Sequence, residues 1–198
     1  MRLFGKSLQT YTDEELFTRI REGDSKAFGE LYDRYAGWLM RYFYRMLWKD
    51  KELAEDQVQE FFTKLAANVD VYDGKRSFKT WAFSVANNMC KNHYRHAAVK
   101  EKSAPMISAE LSDTEYSNTA EEMDHSSFLQ RLEDELLLLD EDRRSTFVLR
   151  FYDELSIKEI ALALDCSEGT VKSRIFYTLQ HLNKKLKDFE HLLLNERL

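Results

Sequence analysis

The sequence predicts an all-α protein made of two helical domains joined by a flexible acidic linker. Across 198 residues there are one proline and six glycines, too little punctuation for strands and hairpins, which need frequent turn signals. Apolar residues make up 43% of the chain and recur at spacings of three and four, the period of helices with one buried face. From Glu101 to Ser127 that periodicity gives way to Ser, Thr, Asn and acidic residues around Pro105. Such a segment buries too little apolar surface to order itself. The expected division is therefore a first domain at 1–100, a linker at 101–127, a second domain at 128–190 and a tail at 191–198. As a coil the linker would span about 30 Å, with a limit of about 90 Å, so the domains are expected to fold separately.

Thr12 followed three positions later by Glu15 is a capping box, in which each residue satisfies the other's free backbone donor, and it opens the first helix. Leu16 and Ile20 lie one turn apart, and Gly23 marks the stop. Asp24 or Ser25 opens a long, aromatic second helix with Phe28, Leu31, Tyr32, Tyr35, Leu39, Tyr42, Phe43 and Met46 inward, the strut of an N-terminal bundle. Asp50 caps a third helix buried along Ala54, Val58, Phe61, Phe62 and Leu65. Its outer stripe of Glu52, Asp56, Gln59 and Thr63 has carboxylates at a spacing that suits acid and base chemistry. No nucleophile, metal partner or apolar pocket accompanies them, so a solvated or protein-docking face is expected, and no enzyme. Gly74 breaks the pattern in VYDGKRSF, residues 71–78, giving a loop. Ser77 caps a fourth helix with Phe78, Trp81, Ala82, Val85 and Met89 inward and Ser84, Asn87, Asn88, Lys91, Asn92 and Arg95 outward.

Charge is unevenly distributed. From Ser103 to Asp142 twelve acids face Arg131 alone, which leaves 28 basic and 23 acidic residues elsewhere. Between Gly74 and Lys100 there is no acid beside Lys75, Arg76, Lys79, Lys91, Arg95 and Lys100. A basic stretch without compensating acid suggests a phosphate-binding surface. Aromatic rings beside cations and amides suit single-stranded nucleic acid, whose bases stack or flip into pockets. Phe78 and Trp81 read as core, whereas Tyr72, Phe83 and Asn88 are candidates for base contact.

In the second domain Leu129, Leu132, Leu136 and Leu139 begin a helix, and Asp140 caps the next, which carries Phe147, Val148 and Phe151 inward. Then comes SIKEIALALDCSEGTVKSRIFYTLQHLNKKL, residues 156–186. Ser156 and Glu159 form a second capping box, Asp165 and Cys166 a turn, and Ser167 a further N-cap. Val171, Ile175, Leu179, Leu182 and Leu186 form the buried face of the last helix. Glu168, Lys172, Ser173, Phe176 and Tyr177 remain on the free face, with Arg174 at its flank. This is a helix-turn-helix whose second helix has donors placed to read base edges in a major groove.

Cys90 and Cys166 are too few and too far apart for a disulfide framework. Cys90, His93 and His96 recur at steps of three but lack a fourth ligand, so neither a metal nor any other cofactor is expected. No apolar run reaches the roughly 18 residues of a membrane span. MRLFGKSLQT is too short and polar for a secretory signal, so a cytoplasmic protein without membrane insertion is expected.

Three stretches, AEDQVQEFFTKL (54–65), SFKTWAFSVANNMCKNHYRH (77–96) and DEDRRSTFVLRFYDELSIKEIALALDCSEGTVKSRIF (140–176), resemble those of extracytoplasmic-function (ECF) sigma factors, promoter-specificity subunits of bacterial RNA polymerase. The resemblance covers nearly the whole chain. It implies that residues 1–100 are sigma region two and 128–190 sigma region four, with core RNA polymerase and promoter DNA as partners and an anti-sigma factor as inhibitor. Asp56, Gln59 and Glu60 would dock on the polymerase clamp helices. The loop from Tyr72 to Phe78, with Lys75 and Arg76, would meet the minus-ten element together with Phe83, Asn88, Lys91 and Arg95. Lys172, Ser173, Arg174, Phe176 and Tyr177 would meet the minus-thirty-five element. The chain differs from the family's common pattern at Asp140, commonly Pro, at Asn92, often Asp, and at Tyr177, commonly basic. A helix-turn-helix regulator acting without replacing the sigma subunit is the rival expectation; it would leave the basic, aromatic fourth helix unexplained.

Overall fold

A computed structural model describes residues 7–101 and 120–189. They form helices α1 (Asp13–Arg21), α2 (Ser25–Met46), α3 (Lys51–Ala67), α4 (Phe78–Glu101), α5 (Ala120–Leu137), α6 (Glu141–Phe151), α7 (Ile157–Ala163) and α8 (Glu168–Lys185), with short 3-10 turns at Leu8–Thr10, Val69–Val71 and Lys187–Phe189. There is no strand among the described residues. Helix α5 starts within the segment expected as linker; residues 102–119 and the tail at 191–198 lie outside the described residues.

The caps form where the side chains required them. Thr12 N–H donates to Glu15 at 2.8 Å and Glu15 N–H to Thr12 Oγ1 at 3.2 Å. Asp24, Asp50 and Asp140 accept from the first-turn amides of α2, α3 and α6. Gly23 takes φ +88°, which a Cβ would strain, and so stops α1. Arg34 joins Asp13 to Glu30, both at 2.9 Å, and binds α1 to α2.

The expected stripe of α3 is buried throughout, as are Leu31, Tyr35, Leu39, Tyr42, Phe43 and Met46 of α2. Tyr32 is 40% exposed, its ring 4.6 Å from that of Phe62. Ser84 and Asn87, expected outward, are buried, and Asn87 accepts from the Tyr42 hydroxyl at 3.2 Å. Helix α7 packs on α4, and α6 on α2. The core of α1 to α4 runs on into Val148, Leu149, Leu155, Ile160 and Leu164. The two units are thus docked rather than held apart.

A smaller cluster of Leu136, Leu139, Phe147, Leu182 and Leu186 closes α5 against α6 and α8. Leu129, Phe151 and Leu179, expected inward, are 43%, 46% and 39% exposed and line an open groove between these helices. In α8 the inward register runs Val171, Ile175, Thr178, Leu182, so Thr178 takes the fully buried place and Leu179, one residue or about 100° further round, is turned toward the rim.

Asp153, in the turn after α6, is 8% exposed and its Oδ2 has no hydrogen-bond partner. Burial pushes its carboxyl up from the ordinary 3.8 to about 6, against the attraction of Arg45, Lys79 and Arg41. A carboxyl whose pKa is raised on folding favours the folded state while protonated, and that contribution is lost as pH rises from about 4 through about 6. Urea unfolding of the wild type and Asp153→Asn, at pH 4.5 and pH 7, should therefore give a variant advantage that grows between the two by about 2 kcal/mol. An advantage independent of pH would contradict this.

Candidate nucleic-acid interface

The loop between α3 and α4 is fixed at both ends by one tyrosine. The Tyr72 ring lies 4.6 Å from Phe17, 5.4 Å from Phe78 and 5.5 Å from Trp81. Its hydroxyl donates to Arg76 O at 2.8 Å, while its own carbonyl accepts from Arg21 at 2.7 Å. Between these ties Gly74 turns the chain at φ +72°. Lys75 projects outward beside Asp73, 3.3 Å away. Tyr72, Phe78 and Phe83 are all buried. Of the rings expected to meet bases, Tyr72 packs in the wall behind the loop and Phe83 packs on Tyr42 of α2, at 5.4 Å.

The polar side of α4 remains. Asn88 and Arg95 are exposed, Arg95 donating to Asn92 at 3.0 Å. With Arg76, Ser84, Asn87 and Lys91 they line a polar cleft of about 550 Å³, whose opposite wall is Ala163, Leu164 and Asp165. Two of the expected cations reach across it. Arg76 donates to Leu162 O at 2.8 Å, and Lys91 lies 2.9 Å from Asp142.

In the helix-turn-helix, Ser156 N–H donates to Glu159 at 2.8 Å and Glu159 N–H to Ser156 Oγ at 3.2 Å. The Ser156 hydroxyl also donates to the Glu159 carboxylate at 2.6 Å, and this bond, with that from Ser156 N–H, holds the carboxyl below its usual range. Asp165, at φ 51°, makes the turn, and Ser167 Oγ accepts from Thr170 N–H at 3.0 Å to start α8. Ile160 and Ala161 of α7 pack on the fully buried Val171. That contact fixes the rotation of α8. Lys172 and Ser173 project outward with Phe176 and Tyr177, whose rings meet at 5.4 Å and are 61% and 53% exposed. Arg174 is turned back and pairs with Asp142 of α6.

Asp56, Gln59 and Glu60 stand together on the exposed side of α3. Glu60 pairs with Lys64 and accepts from Gln57, whereas Asp56 and Gln59 have no such partner among the described residues. Asp142, which touches both Lys91 and Arg174, was missed by sequence reasoning because it reads as one more acid in the acidic middle of the chain. Its position in the first turn of α6 was the only available signal. Cys90 is buried, which pushes its thiol up, and the His93 ring lies 5.9 Å from Trp48. No group of three or more potential metal ligands is found among the described residues, and no described helix is long and apolar enough to cross a membrane.

The family model for Sigma-70 region 2 matches residues 31–99, and that for Sigma-70, region 4 matches residues 129–182. The chain is 32% identical to the ECF RNA polymerase sigma factor SigW of Bacillus subtilis (strain 168), over 86% of this chain and 94% of the relative. It is 30% identical to the ECF RNA polymerase sigma-E factor of Haemophilus influenzae, over 89% and 96%, and 31% identical to that of Escherichia coli (strain K12), over 89% and 95%. Its fold is similar to that of the sigma factor RpoE in complex with the anti-sigma factor NepR from Bartonella quintana (TM-score 0.65, 22% identity, 82% of this chain and 98% of that one). CnrH in complex with the cytosolic domain of CnrY is similar to the same degree (TM-score 0.65, 24% identity, 89% and 97%). Matched along nearly its whole length by these relatives, the chain belongs to the family of ECF RNA polymerase sigma factors, which direct promoter-specific transcription.

Proposed function

We propose that the work of this sigma factor is divided among the three surfaces of α3, α4 and α8. Residues 1–100 act as region two and 128–190 as region four, a division supported by the two family matches at 31–99 and 129–182. Asp56, Gln59 and Glu60 dock on core polymerase. Asn88, with Lys75, Arg76, Lys91 and Arg95, receives the minus-ten strand, its amide able to donate to and accept from a base edge at once. Lys172, Ser173, Phe176 and Tyr177 enter the major groove of the minus-thirty-five element, with Arg174 joining once it leaves Asp142. One observation carries this division: both α4 and α8 bury one side in the core and leave donors on the other.

Tyr72 and Phe78 then hold the loop in place, and Phe83 holds α4 against Tyr42 of α2. The protein is a binding factor of the cytoplasm, not an enzyme. An anti-sigma factor is its expected inhibitor, supported by the solved sigma factor RpoE of like fold, which is in complex with the anti-sigma factor NepR.

Promoter-dependent run-off transcription with core polymerase tests the assignment. Asp56→Arg should weaken core binding by about 1 to 3 kcal/mol with helicity retained; undiminished core affinity would remove α3 from the interface. The two ends of α8 should fail differently. Lys172→Ala should cost about 1 to 3 kcal/mol at a preferred base and relax specificity there, whereas Lys184→Ala, more than three turns later, should act on all sequences alike. Binding of each variant to a selected and a scrambled duplex across a salt series decides this; equal losses on both duplexes for Lys172→Ala would refute base reading.

A further inference from the structure

We propose that the pocket where α2 meets α5 and α6 is a binding site for a small organic anion, a carboxylate carried on a compact apolar body. The site is independent of the partners assigned to α3, α4 and α8. Its volume is about 120 Å³, and four cations line it. Arg41 and Arg45 lie one turn apart on α2, Lys49 sits in the turn that follows, and Arg144 comes from α6. Among the described residues that line the pocket only Glu133 of α5 is acidic, and it pairs with Lys49 at 2.7 Å.

The three arginines have no such partner. Asp153 attracts Arg45 and Arg41 through space, yet neither has a carboxylate in ion-pair contact among the described residues. The Arg45 guanidinium lies over the Tyr152 ring at 4.0 Å. Arg41 gives its carbonyl to Arg45 at 3.4 Å, and its guanidinium makes no hydrogen bond among the described residues. It is thus a fork free to take a carboxylate in two parallel bonds. Arg144 is the most buried of the four. Its terminal nitrogens serve three carbonyls, while its Nε, shut off from solvent, has no acceptor among the described residues. A desolvated cation without a counter-charge is costly, and an anion entering the pocket offsets that cost. The chain carries a net charge of −6, so composition does not account for this gathering of unpaired arginines.

The remaining walls define the body of the ligand. Leu136, Leu137 and Val148 are apolar, and Tyr44 and Tyr152 add two rings. Such walls favour an apolar body over a bare ion, since only the former gains by leaving water. The volume is a little below that of a cavity that holds benzene, about 150 Å³, which suits a single ring and excludes a nucleotide. An occupant touches α2 on one side and α5 and α6 on the other, and so adds a link between them.

The test uses the full chain, isothermal titration calorimetry and thermal melts. Benzoate is the probe, beside benzamide, which keeps the ring without the charge, and inorganic phosphate, which keeps charge without the ring. Benzoate should bind at one site and raise Tm, and the other two should each bind at least about tenfold more weakly. Arg41→Gln should weaken benzoate binding about threefold or more, and Arg45→Gln about tenfold. Arg143→Gln, on the exposed side of α6 and paired with Asp140, should leave it unchanged. Neither heat nor a Tm shift with benzoate would overturn the site. Benzamide binding as tightly as benzoate would overturn the anion, and phosphate binding as tightly would overturn the apolar body. Benzoate binding that Arg41→Gln leaves untouched would overturn this pocket as its place, a result that holds even where Arg45→Gln fails to fold.

Discussion

The contact on which the docked arrangement turns is a buried guanidinium that has no carboxylate. Arg144 is 6% exposed and donates to the carbonyls of Met46 at 3.1 Å, Leu137 at 3.3 Å and Leu139 at 3.1 Å. Met46 ends α2 and Leu137 ends α5. The cation therefore sits at the negative ends of two helix dipoles, which replace part of the solvation a buried charge loses. It also serves carbonyls that a helix terminus leaves without intrahelical donors. The Tyr94 hydroxyl donates to Met46 O as well, so α4 meets α2 and α6 at one oxygen.

Around this point each helical unit keeps its own internal logic. Caps set the starts of α1, α2, α3, α6, α7 and α8, and glycine or a left-handed residue sets several of the ends. Helix α4 faces two ways. Its core side anchors the Tyr72 cluster, while its polar side has the chain's own α7 for a neighbour. The cations there meet main-chain carbonyls and one carboxylate.

Local features were legible in the sequence and non-local ones were not. Both capping boxes, the five-residue stripe of α3 and the free set at the start of α8 follow from spacing within one helix, and each is found as expected. The burial of Tyr72 and Phe83 was not legible, because a ring beside cations looks the same in sequence whether it faces solvent or Phe17 and Tyr42. Thr178 and Leu179 exchanged places because hydrophobicity alone favours Leu, although the register 171, 175, 178, 182 fits the helix better. The packing of α7 on α4 could not be foreseen, because it joins segments some 75 residues apart. No periodicity within α4 encodes that contact.

The pinning of the loop by Tyr72 has a kinetic side. A segment tied at both ends by a packed ring, a hydroxyl-to-carbonyl bond and a guanidinium has already given up most of its conformational freedom when the protein folds. Any ligand that meets Lys75 or Arg76 encounters a surface whose shape is set beforehand and needs little further ordering. Discrimination at this loop then resides chiefly in how quickly a poorly fitting ligand departs, rather than in how slowly the loop reorganises to admit it.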